Sequence, residues 1–262
     1  MQSISLPVLH GKPSPEVDVP RLVPHLLPGD KVRGAVVVLP GGGYFVRAPH
    51  EADPVAKAYN ACGYHAFVLH YRVSPCRHPA PLADAVQAMR TIRSHAAEWK
   101  VSPQHIAVCG FSAGAHLAGS LGVLYNRIPD QPGAPGARPD AMILSYAVLS
   151  TAAKHAGSYD NLIGPEATDA ERDEFSIERF VDASTPPTFL WHTADDDGVP
   201  VENSLIMATA LRQHKVPFEL HVFPHGPHGV GLADDPARNL SPRLASWLKL
   251  SGDWLAEMGW PH

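Results

Sequence analysis

The 262-residue chain predicts an α/β protein with a doubly wound, mostly parallel sheet and helices on both faces. Two observations lead to this fold class. Short runs that are apolar on both faces alternate with longer segments in which apolar residues recur at helical spacing, as in strands joined by right-handed helical crossovers. The hydrophobic content of 45% and the charged content of 18% are those of a folded protein with a buried core. We therefore expect a single domain over residues 1–262, without a large cap domain.

Six strands and five helices are predicted in alternation. The strands cover residues 36–39, 66–69, 106–109, 142–144, 188–191 and 218–223. The helices cover residues 54–62, 82–99, 112–125, 201–214 and 244–258. Pro200 is well placed as the first helical residue of its segment, because that position needs no backbone donor. In such a sheet, ligands bind beyond the carboxyl ends of the strands, so the functional residues are expected there.

Two longer connections are predicted between these elements. Residues 126–139 are rich in proline and glycine and indicate a surface loop. Residues 152–184, which follow the fourth strand, are polar and mixed, with a short helix expected around residues 169–175. This second segment is either a lid or substrate-facing excursion, or a plain surface connection.

Charge and cysteine usage restrict the partners and the compartment. A net charge of −5 without a lysine- or arginine-rich run argues against nucleic acid as a partner. No apolar stretch approaches the roughly 20 residues that span a bilayer, and no signal peptide is visible. Three cysteines, none in a C-x-x-C pair, are typical of a reduced, cytoplasmic protein. The sequence leaves the oligomeric state open, and a homo-oligomer is compatible with it.

Residues 110–114 form a G-x-S-x-G pentapeptide where a predicted buried strand gives way to a helix. A serine at the tip of such a sharp turn is strained, and flanking side chains would collide with the neighbouring elements, which explains the glycines. The amide groups at the start of the helix point toward a developing oxyanion. Ser112 is therefore a candidate nucleophile; the alternative is an ordinary glycine-rich turn with Ser112 as a helix cap.

A serine nucleophile needs a base, and the base needs an acid that fixes its tautomer. His225 and His228 lie in a glycine-rich loop after the sixth strand, and both qualify by position. His228 is favoured because glycine follows it directly and because it lies further from the strand. The acid is expected among Asp195, Asp196 and Asp197 after the fifth strand, of which at most one can be buried and ionised. No metal is predicted from the H-x-x-H spacing, since the loop offers no carboxylate or cysteine beside the histidines.

The loop after the first predicted strand carries three consecutive glycines at residues 41–43. Glycines let the backbone approach a substrate oxygen closely, so this loop and the amide of Ala113 are expected to form an oxyanion hole. Tyr44, which follows the glycines, is predicted to contact the substrate. A phosphate-binding role is not indicated, because the loop lacks G-x-G-x-x-G spacing and no lysine–serine pair follows it.

Together these segments resemble the α/β-hydrolase superfamily, and within it the esterase/lipase group. The resemblance is carried by PGGGY at 40–44, YRVSP at 71–75, HPAPLAD at 78–84, GFSAGAHLA at 110–118, PPTFLWHTADDDGVPVENS at 186–204 and GPHGVGL at 226–232. That group includes hormone-sensitive-lipase-like enzymes and acetylxylan-esterase-like or feruloyl-esterase-like carbohydrate esterases, and the chain most resembles the carbohydrate esterases. The lipase-like HGGG motif has Pro40 in place of histidine, which favours the carbohydrate-esterase side.

The resemblance implies roles for individual residues. Ser112 takes the position of the nucleophile and His228 that of the base. The family pattern D-x-x-V-P selects Asp196 as the triad acid, and Gly42, Gly43 and Ala113 take the oxyanion-hole positions. The usual second glycine after the serine–alanine pair is Ala115 here, a small change that should not disturb catalysis.

The sequence thus predicts a serine carboxylesterase that hydrolyses small acyl esters, acetyl esters above all, through an acyl-enzyme and without a metal or organic cofactor. Esters on sugars or on xylan-derived oligosaccharides are the expected small-molecule substrates. The alternatives are a hormone-sensitive-lipase-type esterase, an oligopeptidase-like serine peptidase and a non-catalytic binding protein with the same fold.

Overall fold

In the computed structural model, which describes residues 2–8, 19–129, 132–153 and 155–262, the described residues form one eight-stranded sheet. Its strands are β1 (Ile4–Ser5), β2 (Arg21–His25), β3 (Arg33–Leu39), β4 (His65–His70), β5 (Val101–Phe111), β6 (Ala141–Ser145), β7 (Thr188–Thr193) and β8 (Phe218–Phe223). Their order across the sheet is β1-β2-β4-β3-β5-β6-β7-β8. Strands β3 to β8 pair in parallel, whereas β1 and β2 pair antiparallel at one edge. This is the α/β-hydrolase fold, so the predicted fold class is confirmed.

Helices cover both faces of this sheet. They are α1 (Asp53–Ala61), α2 (Ala80–Ser94), α3 (Ala96–Trp99), α4 (Ala113–Val123), α5 (Gly157–Ile163), α6 (Asp169–Asp173), α7 (Glu202–Gln213) and α8 (Ser246–Glu257). Apolar side chains of α2, α4 and α7 pack with one face of the strands. Those of α1 and α8 pack with the other face. Side chains of the central strands therefore lie in two separate apolar layers, which is why their sequences are apolar at every position.

Strands β1 and β2 were not predicted from the sequence. Buried and half-buried residues alternate along β2, which also contains Pro24, so β2 lacks the run of apolar residues on both faces that marks the central strands. Strand β1 has only two residues. A two-residue strand at the edge of a sheet carries too weak a pattern to be distinguished from a loop.

All five predicted helices differ from the structure by one or more residues at their bounds, and two of these differences have a local cause. The helix predicted over residues 82–99 begins earlier, at Ala80, and is interrupted at His95, and the left-handed Lys100, with φ of 56°, ends α3. The helix predicted over residues 112–125 begins at Ala113, because Ser112 has a conformation outside the helical region. Residues 152–184 contain α5, α6 and a 3-10 turn at Ile177–Phe180, and α6 corresponds to the short helix expected around residues 169–175. The loop predicted at 126–139 is irregular after its first residues, and its residues 130 and 131 lie outside the described residues.

The carboxyl ends of the central strands lie at one edge of the sheet. Leu39 of β3 is in register with Gly110 of β5, and Phe111 of β5 with Ser145 of β6. Loops that follow β3, β5, β7 and β8 therefore open on the same edge of the sheet. In the part of the chain that the structure describes, no helix is long and apolar enough to cross a membrane.

Candidate active site

Ser112 lies in the sharp turn between β5 and α4. Its φ of 52° and ψ of −119° are unusual for a residue with a side chain, and such a conformation costs about 1–3 kcal/mol. Neither of the two flanking glycines has room for a side chain. A Cβ atom on Gly110 would lie 2.3 Å from the carbonyl oxygen of Gly114, and one on Gly114 would lie 2.1 Å from that of Leu39. The surrounding strands and α4 thus hold a strained serine at the sheet edge.

His228 connects this serine to a carboxylate. Its Nε2 lies 2.8 Å from Ser112 Oγ, and its Nδ1 lies 2.8 Å from Asp196 Oδ2. Because an ionised carboxylate can only accept, Nδ1 carries a proton and donates it to Asp196. Nε2 of the neutral ring then accepts the hydroxyl proton of Ser112, which is the arrangement a serine nucleophile needs.

Asp196 is the one inward-pointing member of the three consecutive aspartates, while Asp195 and Asp197 are exposed. Its Oδ1 accepts hydrogen bonds from the amides of Gly198 at 2.9 Å and Val199 at 2.8 Å. Desolvation alone would raise its pKa, but the hydrogen bonds with His192 and His228 and the Val199 amide outweigh it and hold the pKa well below its usual range. The carboxylate therefore stays ionised beside the imidazole.

His192 is a further residue at this carboxylate that the sequence analysis missed. It lies in β7, is fully buried, and its Nε2 is 3.4 Å from Asp196 Oδ2 and 2.9 Å from the carbonyl oxygen of Val199. Since that carbonyl can only accept, Nε2 carries the proton, and Nδ1 lies 2.8 Å from Ser204 Oγ. A histidine in an otherwise apolar strand was the available signal, but with 16 histidines in the chain it did not stand out.

The glycine loop after β3 lies directly against Ser112. A Cβ atom on Gly41 would lie 3.0 Å from Ser112 Cβ. Gly42 and Gly43 have φ values of 123° and 64°, and both line the cavity that contains Ser112 and His228. Ala113 is the first residue of α4, so its amide has no acceptor within the helix. The three amides assigned to an oxyanion hole thus lie on two segments that flank the serine.

The side chain of Tyr44 does not line this cavity, so its contact with substrate stays a prediction that the structure does not support. The side chain is only 2% exposed, and its hydroxyl is hydrogen-bonded to His116 Nδ1 at 2.9 Å. His116 Nε2 donates in turn to the carbonyl oxygen of Phe175 at 2.8 Å, and burial lowers the pKa of His116 to about 4. The neighbouring Phe45, which is 64% exposed, lines the cavity instead. The tight turn after the glycines therefore buries the side chain of Tyr44 and turns that of Phe45 toward the cavity.

The cavity over Ser112 has a volume of about 480 Å³, and residues from the segment 152–184 form part of its wall. Asn161 donates a hydrogen bond to the carbonyl oxygen of Gly43 at 2.8 Å. His155 Nδ1 lies 3.1 Å from the carbonyl oxygen of Gly198, beside Asp196. These contacts agree with the interpretation of this segment as a substrate-facing excursion rather than a plain connection.

The second histidine of the loop after β8 is placed elsewhere. His225 pairs with Asp195 at 2.9 Å on the exposed surface, so the structure separates the two histidines that position alone left as candidates. Within residues 2–8, 19–129, 132–153 and 155–262, no group of three or more histidine, cysteine or acidic residues is arranged to hold a metal ion.

Comparisons with known proteins agree on one family. The family model BD-FAE matches residues 28–211. Among curated proteins, endo-1,4-beta-xylanase B of Butyrivibrio fibrisolvens is 40% identical over 225 residues, which are 83% of this chain and 35% of that protein. The acetylxylan esterase of Xylanibacter ruminicola is 29% identical over 89% of this chain and 46% of its own length. The chain thus spans between a third and a half of these relatives.

Solved structures give the same result over nearly the whole chain. The acetyl ester-xyloside bifunctional hydrolase from Caldicellulosiruptor lactoaceticus superposes with a TM-score of 0.86 at 44% identity, covering 92% of this chain and 89% of that one. The carboxylesterase Cest-2923 from Lactobacillus plantarum WCFS1 has a TM-score of 0.75 at 28% identity, with 92% of each chain covered.

Proposed function

This chain belongs to the BD-FAE family of α/β-hydrolase esterases, and we propose that it is a serine carboxylesterase that removes acetyl groups from sugars or xylan-derived oligosaccharides. The observation that carries the proposal is the continuous line of hydrogen bonds from Ser112 through His228 to Asp196. The substrate class is supported by the relatives that are named as acetylxylan esterase and acetyl ester-xyloside hydrolase.

The first half of the proposed reaction forms an acyl-enzyme. Ser112 Oγ attacks the ester carbonyl carbon while His228 Nε2 accepts the hydroxyl proton, and Asp196 stabilises the imidazolium that results. The amides of Gly42, Gly43 and Ala113 stabilise the oxyanion. When the tetrahedral intermediate collapses, the ester C–O bond breaks and His228 returns its proton to the departing sugar hydroxyl.

The second half releases the acid. Water enters the cavity, His228 removes a proton from it, and the hydroxide attacks the acyl carbonyl. The bond between the carbonyl carbon and Ser112 Oγ then breaks, His228 protonates the serine, and acetic acid leaves and loses its proton to the solvent. Every proton moves through Nε2 of one histidine, so no further titrating group is required.

We also propose that Phe45 contacts the substrate, in the role that the sequence assigned to Tyr44. Its exposed ring lines the cavity next to the glycine loop, and an aromatic face packs well against the apolar face of a sugar ring. Phe45→Ala is expected to raise KM for acetylated xylo-oligosaccharides more than it lowers kcat, because the ring lies away from the bond that breaks.

The experiment that tests the proposed function compares wild type with Ser112→Ala on p-nitrophenyl acetate, on longer p-nitrophenyl esters and on acetylated xylo-oligosaccharides. Wild type should prefer acetyl esters, and Ser112→Ala should lower turnover by at least about 10⁴-fold while the protein stays folded. A fluorophosphonate probe should label wild type at Ser112 and should not label the variant.

Other outcomes of the same panel favour the alternative functions. Preference for long acyl chains would indicate a lipase-like esterase, and cleavage of peptide amides would indicate an oligopeptidase-like enzyme. Absence of both turnover and labelling would indicate a binding protein. Near-normal turnover by Ser112→Ala would contradict the mechanism.

A single domain over residues 1–262, a cytoplasmic location and the absence of a nucleic-acid partner stay predictions, as does the compatibility of the chain with a homo-oligomer. Size-exclusion chromatography with light scattering measures the oligomeric state. Fractionation of cells that express the natural gene measures the location.

A further inference from the structure

A buried carboxylate borders the cavity and takes no part in the proposed reaction. Glu51 ends the 3-10 turn at Pro49–Glu51 and is only 2% exposed. Its Oε2 accepts a hydrogen bond from the amide of Gly41 at 2.7 Å, and its Oε1 accepts one from the hydroxyl of Tyr146 at 2.6 Å. His50 Nε2 lies 3.7 Å from the same Oε1. Since burying a carboxylate is costly unless it is paired, the Gly41 amide and the Tyr146 hydroxyl account for its place in the interior.

Tyr146 extends this connection to a second loop. It directly follows β6, is 2% exposed and has the positive φ of 34°. Because its hydroxyl donates to Glu51, its oxygen is free to accept, and the amide of Gly231 donates to it at 2.9 Å. Burial and the neighbouring Glu51 carboxylate raise the pKa of Tyr146 well above its ordinary value, so the phenol keeps the proton that it donates. The ring also packs edge to face against the His228 ring, with 5.1 Å between centroids.

These three hydrogen bonds form one continuous line between two loops that are far apart in the sequence. It begins at the amide of Gly41, next to the proposed oxyanion-hole residue Gly42, and ends at the amide of Gly231, three residues after His228. The contact with the glycine loop is close, since a Cβ atom on Gly41 would lie 2.8 Å from Glu51 Oε2. The two loops must be held at a fixed separation for imidazole and oxyanion donors to act on the same carbonyl group.

We propose that Glu51 and Tyr146 are positioning residues that set the distance between the oxyanion-hole amides and the His228 imidazole across Ser112. The inference rests on the proposed function, because it assigns these residues to the same hydrolytic site. Glu51 accepts a hydrogen bond from the Gly41 amide, and Tyr146 accepts one from the Gly231 amide. The hydrogen bond between Tyr146 and Glu51 then fixes the distance between the two loops.

Two conservative variants break the bond between these residues and leave most of the packing intact. Tyr146→Phe removes the hydroxyl, so the Gly231 amide and Glu51 Oε1 both lose a partner. Glu51→Gln keeps an oxygen acceptor for the Gly41 amide but presents an NH₂ group where Tyr146 needs an acceptor. Tyr64→Phe is the matched control, because Tyr64 is equally buried and donates to the carbonyl oxygen of Gly252 at 3.2 Å, away from the cavity.

The test measures kcat, KM and Tm on p-nitrophenyl acetate for wild type, both variants, the double variant and the control. Tyr146→Phe should lower kcat by about 10–100-fold, since small misplacement of reacting groups has effects of this size, with KM changed by less than about two-fold. Glu51→Gln should lower kcat by no more than Tyr146→Phe does, because it retains one of the two bonds. The double variant should lose no more than the larger single loss, because either change breaks the same connection. Tyr64→Phe should lower Tm by a similar few degrees and leave kcat unchanged.

Unchanged kcat in Tyr146→Phe, additive losses in the double variant, or an equal loss of kcat in Tyr64→Phe would each overturn the inference while the proposed function stands. A wild-type protein without esterase activity or fluorophosphonate labelling would overturn the proposed function, and this inference with it. The two failures are therefore distinguishable in one set of measurements.

Discussion

Two aspartate–histidine pairs lie side by side in the loops after β7 and β8, and they differ in almost everything except distance. Asp196 and His228 are 2.8 Å apart, and Asp195 and His225 are 2.9 Å apart. The side chains of the first pair are 0% and 25% exposed, whereas those of the second are 52% and 83% exposed. A short hydrogen bond between an aspartate and a histidine is therefore not what marks an active site.

What distinguishes the two pairs is the set of further partners. Asp196 is held by two backbone amides and lies beside His192, and its histidine continues to Ser112. Among the described residues Asp195 has one further donor outside its own backbone, the amide of Gly226, and water competes for both members of its exposed pair. Hydrogen bonds at both ring nitrogens fix His228 in one tautomer and one orientation, whereas His225 has its hydrogen bond at Nδ1 alone among the described residues.

The largest expected effect on catalysis distinguishes His228 from His225. His228→Ala should lower kcat/KM for p-nitrophenyl acetate by at least about 10⁴-fold, because it removes the only base in contact with Ser112 among the described residues. His225→Ala should change it by less than about two-fold, since an exposed ion pair contributes little. Steady-state kinetics of both variants measure this difference, and comparable losses would show that the loop as a whole matters rather than one imidazole.

An intermediate effect is expected at His192, which has no counterpart in the exposed pair. His192→Phe should lower kcat by about 10–100-fold, in the range found for residues that orient a directly reacting group. It removes one partner of Asp196 and leaves the hydroxyl of Ser204 and the carbonyl of Val199 without theirs. His221→Phe on β8 is the control, because that histidine is partly exposed and bonded only to Glu219 among the described residues. A loss of Tm without a loss of kcat in His192→Phe would reduce its role to packing.

The smallest effect concerns stability in acid. The pKa of Asp196 in the folded state lies well below the value of about 3.9 expected for aspartate in the unfolded chain. Its ionised form therefore stabilises the folded state above the unfolded pKa, and this stabilisation is lost as the pH falls toward the folded pKa. The difference in unfolding free energy between wild type and Asp196→Asn should therefore shrink as the pH is lowered from about 6 to about 3. For Asp195→Asn the difference should stay small throughout, because solvent screens that pair.

Urea unfolding at a series of pH values measures both differences. A constant difference for Asp196→Asn would mean that the buried pair does not depress the pKa of its carboxyl.

The sequence predicted the positions of the loops better than the directions of single side chains. The six parallel strands were predictable because strands buried on both faces leave continuous apolar runs, and topology then placed the loops with Ser112, Asp196 and His228 on one edge. The direction of an individual side chain carries no such periodic signal. Tyr44 and Phe45 are adjacent aromatics, and only the backbone of the turn decides that the first is buried and the second faces the cavity.

Buried polar residues were missed for a related reason. Glu51 and His192 have polar side chains, which usually lie on the surface, so the hydrophobic pattern alone places them there unless a known motif includes them. Their burial depends on donors and acceptors supplied by distant segments, such as Gly41 and Tyr146 for Glu51. Contacts of this kind arise only after the chain has folded and leave no local signature.

The most direct test of the account compares Asp196→Asn with Asp195→Asn, two neighbouring and chemically identical substitutions. Asparagine at position 196 keeps the size of the side chain but no longer favours the tautomer in which His228 Nε2 can accept the serine proton. Asp196→Asn should lower kcat by about 10³–10⁴-fold, and Asp195→Asn should lower it by less than about two-fold. Equal effects of the two substitutions, or a larger loss at Asp195, would contradict it.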